Sequence, residues 1–196
     1  MIYTSTITTA SLRLRESRII ADLLLRGVGP AKWKELLIQQ NVLQMGSPES
    51  ILRISRLLRA RIEPLGPGLW RMVRDGGHEL AMQAVFAGAV KNSRLLGDFM
   101  DHTLREQHAL FASRLEPRLW QDYIAECRGR DPDMPHWSDS TVERLRSAVF
   151  SMLAQAGYIA DTRSLALQNV FIDSQLAAYL GERHETYVLR CMGVTE

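Results

Sequence analysis

Arg53, Arg56 and Arg59 recur every three residues in a stretch with helical periodicity. At about 100° per residue they fall on one side of that helix, and Ile51, Ile54, Leu58, Ile62 and Leu65 form a stripe on the other. A guanidinium is a planar fork that bonds phosphate oxygens or a guanine edge bidentately, which lysine does not do. Ser47-Pro48-Glu49 predicts the helix start: a capping serine, proline at the first helical position and an acid in the first turn. A capped helix with an arginine stripe suits a DNA major groove. Ser47 and Ser50 then lie near the entering end, where helix N–H groups favour a phosphate, and Lys32 and Lys34 flank it. A solvated cationic face is the plainer use of the same pattern.

A second candidate set lies further along the chain. The segment 138–156 predicts a long helix with Val142, Leu145, Val149, Met152, Leu153 and Ala156 inward. Ser140, Arg144, Ser147 and Ser151 point away from that core, and Thr141 stands beside them in the first turn. Gly157 ends the helix, Tyr158-Ile159-Ala160 follows, and the polar turn Asp161-Thr162-Arg163 leads into an alternating stretch with Leu165, Leu167, Val170 and Ile172. That order predicts a small β-hairpin over 158–172 and is similar to a winged helix-turn-helix. Arg163 is then the wing tip, touching phosphate or the minor groove. A small packing or dimerisation domain uses the same elements.

Catalytic patterns are missing from the sequence. It has no GxxxxGK[ST] loop, no GxGxxG, no GxSxG elbow and no HExxH. Asp98, His102 and Glu106 recur every four residues, a row whose carboxylate and imidazole groups suit iron or zinc. No second helix offers a matching pair, so a solvated helix face is expected and no metal or cofactor is. Cys127 and Cys191 stand apart, without CxxC spacing, and are expected as reduced, partly buried thiols. Trp33, Trp70, Trp120 and Trp137 each lie near a helix start and are expected as core anchors.

These residues need a scaffold, and the composition describes one. The chain has 196 residues, 46% hydrophobic and 23% charged, ordinary values for a globular fold. No signal peptide or membrane-length apolar run is evident, so a soluble cytoplasmic protein is expected. The cations are 21 arginines and 3 lysines, a bias that phosphate recognition explains and a GC-rich gene explains equally well. Residues 1–74 carry 12 basic against 5 acidic side chains, and residues 75–196 carry 12 against 17. Such asymmetry points to an acidic partner for the N-terminal part, either nucleic acid or an acidic protein surface.

Helical periodicity runs through 16–26, 31–40, 47–62, 69–76, 78–92, 94–111, 117–128 and 138–156, with two short helices at 173–181 and 184–192. The expected fold is mostly α, with a helix-turn-helix-like N-terminal unit and a winged-helix-like C-terminal unit. The expected segments are 1–75 as the basic DNA-binding unit, 76–128 as central helices, 129–137 as a linker or long turn, and 138–196 as the second unit, with 117–128 available as its first helix.

Several long strings carry a family resemblance: LLLRGVGPAKWKELLIQQNVLQMGSPESILRISRLLRARI (23–62), SRLLGDFMDHTLREQ (93–107), LWQDYIAECRGRDPDMPHWSDSTVERLR (119–146), LAQAGYIADTRSLAL (153–167) and YVLRCM (187–192). Together they resemble the BrxA family, small non-catalytic components of bacteriophage-exclusion (BREX) defence systems. The resemblance implies a double-stranded DNA-binding accessory protein with helix-turn-helix elements. It also implies a separate methyltransferase, ATPase and phosphatase-like protein as neighbours in the same system. A likeness to the NusB antitermination fold brings an RNA-binding alternative, and a protein–protein scaffold is a third.

Overall fold

The computed structural model describes residues 3–5, 7 and 11–195. Two units emerge. One is Leu12–Asn92, and the other is Ser93–Glu196 with the described part of Met1–Ser11.

The first unit holds five helices. Helix α1 is Leu14–Leu25, and Gly27 at φ 60 turns the chain beyond it. Helix α2, Pro30–Lys34, starts on its proline and continues as a π-helical turn, Glu35–Gln39. Helix α3 is Pro48–Ile62, and the Ser50 N–H donates to Ser47 Oγ at 3.2 Å, the cap that the motif predicts. Ile51, Ile54, Leu58, Ile62 and Leu65 are all buried, so the apolar stripe faces the core as expected. Helix α4 is Gly66–Asp75 and α5 is His78–Asn92.

Helix α5 is buried from Ala84 through Val90. Gly88 lets α3 approach it: a Cβ built there lies 2.6 Å from the Arg61 carbonyl oxygen and 3.0 Å from its carbon. Those are backbone atoms, which cannot swing aside. Alanine is the better helix former by about 1 kcal/mol, but overpacking against rigid backbone costs about 1–3 kcal/mol. Gly88→Ala is therefore expected to lower stability by up to about 2 kcal/mol, read as a lower urea midpoint with an unchanged m-value. An unaltered midpoint would mean the helices separate freely.

The second unit carries α6 (Arg94–Asp98), a π-helical segment (Phe99–Leu104) and α7 (Arg105–Ala109), which together make one run close to the expected helix 94–111. Helices α8 (Arg118–Arg130) and α9 (Asp139–Gln155) follow, then α10 (Ser174–Glu182) and α11 (Thr186–Met192). The segment 131–138 runs between α8 and α9 inside this unit. Its core is aromatic. Phe99 stands 5.3 Å from Trp120 and 5.2 Å from Tyr123 in edge-on geometry, a favoured arrangement of ring quadrupoles. Trp120 Nε1–H donates to the Val142 carbonyl at 3.0 Å, tying α8 to α9. Of the four tryptophans only Trp120 is fully buried; Trp33, Trp70 and Trp137 are half-buried, which corrects their expected role as core anchors.

The expected two-stranded hairpin is reduced to isolated antiparallel bridges, Ile159 with Leu167 and Arg114 with Ala166. Residues 165–167 thus lie between two short partners, since Leu115 N–H donates to the Leu165 carbonyl and Leu167 N–H to the Ser113 carbonyl, both at 3.0 Å. The ladder stops early for local reasons. Asp161 accepts the N–H groups of Arg163 at 2.7 Å and Ser164 at 2.8 Å, and Leu165 takes φ 53, outside the extended region.

Candidate nucleic-acid interface

On α3 the three arginines do not share one environment. Arg53 and Arg56 are exposed, with no ion-pair partner among the described residues. Arg59 is committed elsewhere. Its Nε and Nη2 donate to the two Glu63 carboxylate oxygens at 2.8 and 2.6 Å, and its guanidinium lies 4.7 Å from the Trp33 ring centroid. The bonds to Arg59 hold the Glu63 carboxyl below its ordinary range, and those to Glu63 raise the guanidinium. Helix geometry explains the split. Each three-residue step falls about 60° short of a turn, so Arg59 sits about 120° round from Arg53, on the side of α2. Arg61, outside the predicted stripe, is buried, and desolvation together with the charge of Arg13 pushes its pKa down to about 10.

Of the flanking lysines, Lys32 pairs with Glu35 at 2.6 Å, whereas Lys34 is exposed without an ion-pair partner among the described residues. The Ser47 oxygen serves as the helix cap, and Ser50 is half-buried beside it. Residues Leu12–Asn92 carry 13 basic against 7 acidic side chains. The field of this unit is therefore positive, and its unspent cations on α3 are Arg53 and Arg56.

In the C-terminal unit, Ser140, Thr141 and Arg144 come together at the start of α9. Ser138 Oγ lies 3.0 Å from Ser140 Oγ and 3.1 Å from Thr141 Oγ1. Arg144 folds back on the same turn, donating to the Ser140 carbonyl and to Thr141 Oγ1, each at 3.2 Å. Arg163 stands apart on its exposed turn, where Thr162 shares a cleft with Arg146, Ser147 and Ser151 of α9.

The Asp98, His102 and Glu106 row is not a solvated face. His102 and Glu106 are exposed, but Asp98 is buried. Its Oδ2 accepts from the Tyr3 hydroxyl at 2.9 Å and its Oδ1 from the Tyr187 hydroxyl at 2.7 Å, and Arg94 lies 3.4 Å away. The π-helical segment shifts the i→i+4 alignment that the sequence spacing assumes. No group of three or more His, Cys, Asp or Glu side chains is placed to hold a metal among the described residues. Both cysteines are buried, and burial raises each thiol pKa. No helix among the described residues is long and apolar enough to cross a membrane.

The BrxA family model matches residues 1–184. A curated relative from Paramagnetospirillum magneticum, named BREX protein BrxA, is 46% identical over 98% of this chain and 97% of its own length. One of the same name from Escherichia coli is 27% identical over 86% of this chain and 79% of its own. The crystal structure of an uncharacterized protein from Magnetospirillum magneticum superposes with a TM-score of 0.93 at 45% identity, covering 99% of this chain and 100% of that one. With the family model spanning nearly the whole sequence and close identity to a relative along its length, the chain belongs to the BrxA family.

Proposed function

We propose that the protein is a non-catalytic, double-stranded DNA-binding component of a BREX phage-defence system. The observation that carries this reading is Arg53 with Arg56, exposed and without ion-pair partners on the outer face of a capped helix in a basic unit. Arginine–phosphate contacts supply most of the affinity, so binding tolerates sequence and weakens steeply with salt. Lys34 extends the contact toward α2. Ser140, Thr141, Arg144 and Arg163 form a second, winged-helix-like contact that is weaker, because Arg144 already bonds its own helix. Membership of the family supports other components of a BREX system as its partners, and the methyltransferase, ATPase and phosphatase-like protein that the resemblance implies are the candidates.

Fluorescence anisotropy with a random-sequence DNA duplex, set beside a structured RNA of equal length, tests the proposal. The duplex is expected to bind more tightly than the RNA, with log K falling linearly against log salt. Tighter RNA binding would favour the NusB-like alternative. No binding to either would leave the scaffold reading in its place.

A further inference from the structure

The C-terminal unit exposes apolar side chains for which the DNA-binding reading has no use. Phe111 is 95% exposed and Phe171 74%. Phe111 also takes φ 52, a left-handed conformation that costs a bulky residue of order 1–3 kcal/mol. It opens onto a cleft of about 530 Å³ lined also by Arg105, His108 and Val194. A second cleft of about 370 Å³, lined by Ile172, Leu189 and Arg190, meets the first at Arg105, which borders both. Phe171 lies in the chain between Asn169 of the first cleft and Ile172 of the second.

Charge sets this groove apart from its surroundings. The segment 93–196 carries 15 acidic against 11 basic side chains, yet the described lining of the two clefts has two arginines, a histidine and no carboxylate. Both arginines draw on one acid: Asp101 lies 2.9 Å from Arg190 and 3.5 Å from Arg105. Arg105 also donates to the carbonyl oxygens of Gly193 and Arg190, which fixes it in the floor. Arg190 keeps its side chain 60% exposed. His108 Nε2 is buried without a hydrogen-bond partner. Desolvation favours the neutral imidazole, so His108 adds no charge to the lining.

We propose that this groove docks an acidic segment of a partner protein through apolar anchors. An aliphatic or aromatic side chain of the segment packs on Phe111 and Phe171, and a carboxylate meets Arg190. Exposed aromatics around a cleft are the commonest anchors of protein interfaces. Single-stranded nucleic acid fits less well, because a run of phosphates needs several free cations and the described lining exposes Arg190 alone, the Arg105 fork being spent on carbonyls.

The test is selection of short random peptides displayed on phage against the immobilised full chain, followed by affinity measurement on the recovered sequences. Peptides that combine Leu, Phe or Trp with Asp or Glu are expected, with Kd raised about thirtyfold or more by the double variant Phe111→Ser/Phe171→Ser. Arg190→Ala is expected to flatten the salt dependence of their binding. Both phenylalanines are exposed, so the double variant should keep the wild-type melting temperature. No enrichment, recovery of basic peptides, or undiminished binding to the double variant would overturn the proposal. So would an oligothymidylate that binds the wild type and not the double variant, which would assign the groove to base stacking. None of these outcomes bears on duplex binding by α3.

Discussion

Replacing Arg53 and Arg56 together by alanine is expected to weaken duplex-DNA binding about a hundredfold at low salt while the fold is kept. Each charge-assisted contact to a phosphate contributes about 1.5–3 kcal/mol, tenfold or more in affinity. The slope of log K against log salt should become shallower by about 1.8, roughly 0.9 for each lost contact. Both side chains point away from the buried Ile51, Ile54 and Leu58 stripe, so stability should move by under about 0.5 kcal/mol. Arg59→Ala is expected to do the reverse. Its fork is closed on Glu63 and its face lies over Trp33, so it should leave the salt slope unchanged. Its loss should lower stability by about 0.5–1 kcal/mol, as for a half-exposed bidentate pair with a cation–π contact. Anisotropy salt titrations on two unrelated duplexes check both variants. A slope that survives the Arg53/Arg56 replacement would reduce the stripe to a solvated face. A slope that falls with Arg59→Ala would mean the Glu63 pair opens to release the guanidinium onto DNA.

The contrast within one helix shows what a sequence can disclose here. The cap at Ser47 and the stripe through Leu65 are local patterns of spacing and residue type, and both stand in the structure as expected. The fate of Arg59 depends on Trp33, which belongs to another helix, and that juxtaposition leaves no trace in the spacing of α3. Glu63 did offer a signal, since an arginine and an acid four apart on a helix pair readily. The segment 158–172 follows the same rule. Its alternation was visible, but the pairing of residues 165–167 with residues 113–115 joins parts of the chain about fifty residues apart. The periodicity of 94–111 makes Phe111 the last residue of a helix, because nothing in its immediate neighbours marks a left-handed, solvent-facing aromatic.

Asp98 is the position where spacing misleads most, and where a single substitution should cost most in stability. On a solvated helix face Asp98→Ala would move stability by no more than about 0.5 kcal/mol. In the structure the carboxylate accepts two tyrosine hydroxyls contributed from 95 and 89 residues away in sequence. Burial, and then the bond to Asp98, raise the pKa of both tyrosines, so each remains a neutral donor across the working pH range. Removing the acceptor strands both donors and takes a partner from Arg94. A hydrogen bond to a charged group contributes about 1.5–3 kcal/mol, so Asp98→Ala is expected to cost about 3–5 kcal/mol. At about 2–4 °C per kcal/mol for a chain of this size, the melting temperature should fall by roughly 6–20 °C. Asp98→Asn keeps one carbonyl oxygen and should cost about half as much. A double-mutant cycle isolates the cause: Tyr187→Phe should destabilise the wild type but add little to Asp98→Ala, because its bond is already gone. Additive losses across the cycle would show that the two residues act independently. A melting temperature unmoved by Asp98→Ala would return Asp98 to the solvated face that its spacing implied.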